Sequence, residues 1–198
     1  DARLVVGMSL GGLTSIALAT HAPGLVRRLL LVDVTPGVDK ERAAPIGQFV
    51  SGPESFASFD EILERTVAFN PTRSAQSLRR GVLHNAMERP DGRWVWRYQR
   101  PRLMEMAARP DDAPAEADDP PIPDFTTLWD DLGAVTVPVL LAHGTTQGSV
   151  VLDEHVAEFR RRQPDGRVIA VEGAGHSLQG DTPLELTAIV EEFLADAD

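Results

Sequence analysis

Apolar and polar positions along this chain switch between two periods, and the switches mark its elements. Residues from Arg3 to Met8 carry an apolar run that reads as a buried strand, after which Leu13, Ile16, Ala17 and Thr20 recur at helical spacing. Ala22-Pro23-Gly24 stops that helix. A second apolar run, Val26 to Val32, ends at Asp33, and Thr35-Pro36-Gly37 turns the chain away. From about Glu41 to Arg109 no strong buried strand occurs, and the pattern predicts a helical insertion. Ser58-x-x-Glu61 forms a capping box ahead of Phe59, Ile62, Leu63 and Val67, with Asn70-Pro71 ending the helix. A further helix is predicted across Leu78, Val82, Leu83, Ala86 and Met87, closed by Pro90-Asp91-Gly92, after which Trp94, Trp96 and Tyr98 alternate.

The strand and helix alternation resumes past residue 125. It gives a short helix around Leu128 to Leu132, a strand from Val137 to Ala142 reaching His143-Gly144, a helix holding Val156 and Phe159, and a strand from Val168 to Val171. The last helix has a Thr182/Glu185 capping box, Pro183 in its first turn, and Leu186, Ile189, Val190, Phe193 and Leu194 as one apolar stripe. Strands alternating with helices imply an α/β fold, a doubly wound parallel sheet with helices on both faces. Three segments follow: a core at 1–40, an inserted region at 41–124 and a returning core at 125–198.

Composition narrows the classes of function. The chain has 198 residues, 42% of them apolar, so it can bury a substantial core, and it lacks the apolar run of about eighteen residues that a membrane span requires. A net charge of −11 argues against nucleic acid as a partner, because phosphate neutralisation needs clustered Lys and Arg. Asp111, Asp112, Glu116, Asp118, Asp119 and Asp124, interspersed with prolines, read as a solvated linker. The absence of cysteine removes disulfides, a thiolate nucleophile and thiolate metal ligation. No metal site is expected, since no His pair or carboxylate cluster has ligand spacing. A small molecule is the expected partner, with no membrane and no nucleic acid. A cytoplasmic location is the working expectation, although the chain starts at Asp1 without an initiator Met.

The candidate chemistry lies in Gly7-Met8-Ser9-Leu10-Gly11, a Gly-x-Ser-x-Gly between the first strand and the first helix. Such a turn strains the serine backbone and holds its hydroxyl clear of the sheet edge, and small residues two before and two after the serine avoid a collision, which assigns that role to Gly7 and Gly11. The spacing matches neither a dinucleotide-binding loop nor a P-loop. A serine hydroxyl needs a base, and His176 meets that demand in Gly173-Ala174-Gly175-His176-Ser177, directly after the strand from Val168 to Val171. His21, His84 and His155 are expected to be solvent-exposed polar residues, and His143, at a strand end, can line the site or make a structural hydrogen bond.

With its Gly12, the elbow resembles that of the α/β-hydrolase superfamily, in its serine-nucleophile, lid-bearing branch. The resemblance implies that the 41–124 insertion is a cap with its linker, that His176 is the catalytic base, and that the backbone N–H of Leu10 is an oxyanion donor. It implies a site without cofactor, and a pocket to which Met8, His143, Trp94 and Trp96 contribute. It also places the nucleophile after the fifth strand, so that a chain with Ser9 as nucleophile is expected to be the C-terminal part of a larger domain, inactive alone. Many relatives carry an acid in a His-Gly-x-x-Asp pattern, and here that slot reads His143-Gly144-Thr145-Thr146-Gln147. Two acids can substitute: Asp33, ending the strand after the nucleophile, and Asp153 at a helix entry. Asp33 is the choice, because some branches place their acid at that strand end, whereas helix N-terminal charge explains Asp153. The implied activity is acyl transfer on an ester, lactone or similar small apolar carbonyl compound. A C–C bond hydrolase or cofactor-free haloperoxidase on the same triad, and a non-catalytic binding protein of the same fold, are the alternatives.

Overall fold

A computed structural model describes residues 1–98 and 124–195. The elements run β1 (Val5–Met8), α1 (Leu10–His21), a 3-10 turn (Pro23–Leu25), β2 (Leu29–Val32), α2 (Lys40–Val50), α3 (Phe59–Phe69), α4 (Ala75–Asn85), β3 (Ala86–Glu88) and β4 (Trp94–Trp96). They continue with α5 (Leu128–Ala134), β5 (Val139–Gly144), α6 (Asp153–Arg162), β6 (Arg167–Val171), α7 (Leu178–Asp181) and α8 (Pro183–Ala195). The chain divides into two compact units, one made of Asp1–Ala43 and Asp124–Asp198, the other of Ala44–Pro123. Apart from Asp124, the acidic stretch read as a linker lies outside the described residues.

The first unit is a parallel sheet in the order β1-β2-β5-β6. Successive side chains on a strand point to opposite faces, and the two faces form two cores. Leu29, Leu31, Val139 and Leu141 pack with Leu13 and Ile16 of α1, Trp129 and Leu132 of α5 and Phe159 of α6. Leu30, Val32, Leu140 and Ala142 pack with Val171, Leu178 and Phe193 on the other face. The doubly wound arrangement expected from the sequence is therefore present, and it explains why β2 is buried at all of its positions. β1 starts at Val5, later than the predicted Arg3, and at the edge of the described sheet it leaves Val6 46% exposed. The second strand is also shorter than predicted, because Val26 leaves the 3-10 turn and only Leu29–Val32 joins the ladder.

The second unit has its own core of Phe56, Ile62, Val82 and Ala86, with Phe59, Leu63, Trp94 and Trp96 against it. α3 starts as predicted, with the Ser58 hydroxyl accepting from the Glu61 N–H at 3.2 Å, while the Glu61 carboxylate accepts from the Ala57 N–H at 2.5 Å. α4 stops at Asn85, short of the predicted Met87. Ala86–Glu88 instead pairs antiparallel with Trp94–Trp96, and Pro90-Asp91-Gly92 is the hairpin turn, Gly92 taking a φ of 80°. Among the described residues no helix is long and apolar enough to cross a membrane.

Candidate active site

Parallel pairing brings the candidate residues to one edge of the sheet. Met8 is opposite Val32, Val32 opposite Ala142, and Gly144 opposite Val171. Ser9, Asp33, the segment after β5 and the loop carrying His176 therefore all leave the C-terminal ends of adjacent strands, where open α/β sheets place their ligands.

Ser9 is the N-cap of α1 with φ 52° and ψ −131°. A non-glycine residue in such a conformation costs about 1–3 kcal/mol. Its carbonyl accepts from the Gly12 and Leu13 N–H groups at 2.8 and 3.2 Å, so the strain is held by the helix that it starts. The crowding differs from expectation. A Cβ on Gly7 would lie 2.6 Å from the Gly12 Cα and from the Ser15 Oγ, and one on Gly12 would lie 2.3 Å from a Val34 methyl, whereas one on Gly11 would meet nothing within 4 Å. The close approach is between the end of β1 and the third residue of α1, so Gly7 and Gly12 are the sterically required glycines, and Gly11 is not. Leu10, the first residue of α1, has an N–H that no intrahelical carbonyl can reach.

Asp33 is fully buried and, like Ser9, has a left-handed backbone, with φ 46°. Its carboxylate takes four donors. Oδ1 accepts from the Gly144 N–H at 2.9 Å and the Ser149 hydroxyl at 2.6 Å, and Oδ2 accepts from the Val150 N–H at 3.0 Å and His176 Nδ1 at 2.9 Å. Burial pushes the carboxyl pKa up, but the hydrogen bonds from His176, Ser149, Gly144 and Val150 outweigh it and leave the pKa below the usual value. An ionised carboxylate only accepts, so Nδ1 of His176 carries the shared proton and Nε2 of the neutral ring is the free acceptor. That Nε2 is buried and has no hydrogen-bond partner among the described residues, Ser9 included. The His176 loop is held by the Gly175 N–H donating to Asp181 at 2.9 Å and by the bare Gly144, whose Cβ would strike the Ala174 carbonyl at 2.3 Å.

The remaining predicted residues fall in several places. Asp153, the other candidate acid, is exposed in the first turn of α6. Gln147 is exposed in the segment after β5. Met8 is half-buried against the Phe193 face of the sheet, its sulfur accepting from Gln179 of α7 at 3.0 Å. His143 lies near the end of β5, with Nδ1 3.1 Å from the Gly144 carbonyl. Trp94 and Trp96 pack in the core of the second unit, where Trp94 meets Phe59 edge-on at 5.0 Å. His155 corrects its expectation: the ring is buried, and Nδ1 accepts from the Leu152 N–H at 3.1 Å, capping α6. Burial draws its pKa below 6.5, against the opposing pull of Glu154 and Asp39. Ser149 was not singled out by the sequence. Its signal would have been its place two residues past the vacant acid slot, which only contact with Asp33 makes meaningful.

This chain belongs to the alpha/beta hydrolase family, whose sequence model matches residues 1–189. It is 40% identical over 200 residues to esterase Rv0045c of Mycobacterium tuberculosis, covering 98% of this chain and 61% of that protein. A solved structure of that esterase superposes with a TM-score of 0.78, covering 98% of this chain and 63% of the other. The mouse sn-1-specific diacylglycerol lipase ABHD11 is 27% identical over 198 residues, with 97% of this chain and 59% of that protein covered. The chain thus spans about three fifths of the length of the curated relatives it matches.

Proposed function

We propose that this chain carries the nucleophile, base and acid of a serine hydrolase that cleaves carboxylic esters, with Ser9, His176 and Asp33 in those roles. The observation that carries the reading is the His176 ring: Nδ1 is bonded to a buried carboxylate, while Nε2 is buried and without a hydrogen-bond partner among the described residues. The esterase at 40% identity supports the ester as substrate class.

In the proposed reaction the Ser9 hydroxyl attacks the ester carbonyl as Nε2 of His176 takes its proton. The Leu10 N–H donates to the oxyanion of the tetrahedral adduct, and the imidazolium, stabilised by Asp33, returns the proton to the departing alkoxide. Water, deprotonated by the same nitrogen, then attacks the acyl-serine and releases the acid and free Ser9.

The test is fluorophosphonate labelling and p-nitrophenyl ester hydrolysis by the protein as its gene encodes it. Labelling is expected in the wild type and absent in Ser9→Ala. Asp33→Asn is expected to lose on the order of a thousandfold or more in kcat, as when a triad acid elsewhere is neutralised. A wild type that neither labels nor hydrolyses would overturn the reading.

A further inference from the structure

Three of the four donors on Asp33 come from one stretch of chain, residues 144–150, which begins at the last residue of β5 and contains Gln147. This is the stretch in which the His-Gly-x-x-Asp pattern would place an acid of its own. We propose that it serves here to hold the acid instead of supplying it, with Ser149 positioning Asp33 for His176 and Arg42 strapping Ser149 in place. The proposal rests on the reading of Ser9, His176 and Asp33 given above.

Ser149 is 2% exposed, so its hydroxyl has no water to turn to. Its oxygen accepts from the Val151 N–H at 3.2 Å, and that oxygen, with a single proton to donate, lies 2.6 Å from Asp33 Oδ1 against 3.5 Å from the Val151 carbonyl. The shorter contact, to a charged acceptor, wins. With Gly144 and Ser149 on one carboxylate oxygen and Val150 on the other, the group cannot rotate about its terminal bond. The remaining acceptor direction of Oδ2 is then fixed on His176 Nδ1. The stretch is in turn tied down from outside: Nη1 of Arg42 donates to the carbonyls of Gln147 at 3.1 Å and Ser149 at 3.0 Å. Arg42 is itself set by its N–H donating to Asp39 Oδ1 at 2.7 Å. Thus the backbone of Gln147, whose side chain cannot carry the acid's charge, takes part in holding the residue that can.

The test compares Ser149→Thr with Ser149→Val in the protein as its gene encodes it, two side chains of equal shape that differ in the donor. Ser149→Val is expected to lose about tenfold in kcat with KM changed by less than about twofold, the signature of an interaction spent on the reacting state. The acidic limb of its kcat/KM profile should move to higher pH, because a carboxylate with one donor fewer concentrates its charge toward His176. Ser149→Thr should restore both. Arg42→Ala, a change at a half-buried side chain, should give a smaller loss and none beyond that of Ser149→Val in the double variant. Equal losses in the Thr and Val variants, or an unmoved pH profile, would overturn the role of Ser149. A fully additive double variant would overturn that of Arg42, and if Ser149→Val does not fold, an unchanged kcat in Arg42→Ala alone would overturn it. In each case the wild type still labels with the fluorophosphonate, which separates these outcomes from failure of the triad reading.

Discussion

At the scale of single residues, the half-buried His176 and the buried His155 show how one ring does different work according to what its nitrogens meet. His176 presents Nδ1 to a carboxylate, whereas His155 presents Nδ1 as an acceptor to a backbone N–H at the start of α6. Protonating His155 removes that acceptor and charges a buried ring. Since its folded pKa lies below 6.5, the unfolded chain binds the proton more readily, so the stability due to His155 is present above that pH and is lost as pH falls through the folded value. His155→Gln keeps an acceptor without the titration. The melting temperature of the wild type should therefore fall relative to His155→Gln between pH 8 and about 5.5. A difference independent of pH would show that the ring does not titrate with folding. The sequence placed His155 on a helix and read it as exposed, because Gly37, which packs against the ring, comes from a distant segment.

At the scale of elements, the elbow is decided by contacts across the strand-to-helix turn and not by the spacing of its motif alone. Gly11→Ala should leave stability unchanged or raise it by up to about 1 kcal/mol, since alanine is the better helix former and the site is open. Gly12→Ala must push against Val34 and should cost about 1–3 kcal/mol by overpacking. Chemical denaturation of the two variants distinguishes this from an elbow in which Gly11 is the required glycine. The same reasoning explains the misjudged end of α4. Leu78 and Val82 continue a helical stripe that Ala86 and Met87 can prolong on paper, but the ladder to Trp94–Trp96 satisfies their backbone and takes them into a hairpin.

At the scale of the whole molecule, each unit carries its own apolar core, so a lesion in one should be felt there first. Phe56→Ala removes a fully buried ring from the second unit and should cost about 3–5 kcal/mol locally. Hydrogen exchange is expected to quicken in α3 and α4 while β2 and β5 keep their protection. Uniform acceleration across both units would mean that the cores unfold as one.

The sequence by itself determined the parallel α/β sheet, the Ser58 cap of α3, the strained Ser9 and the loop of His176, because these depend on periodicity and on residues that are neighbours in the chain. Asp33 was legible as a strand-ending acid, but not its four donors. Only the tertiary structure decided that the stretch around Gln147 closes on Asp33, that Gly12 outranks Gly11, and that His155 is buried. Each of these depends on which distant atoms the packed strands bring within hydrogen-bonding or van der Waals reach, and short-range spacing holds no record of that distance.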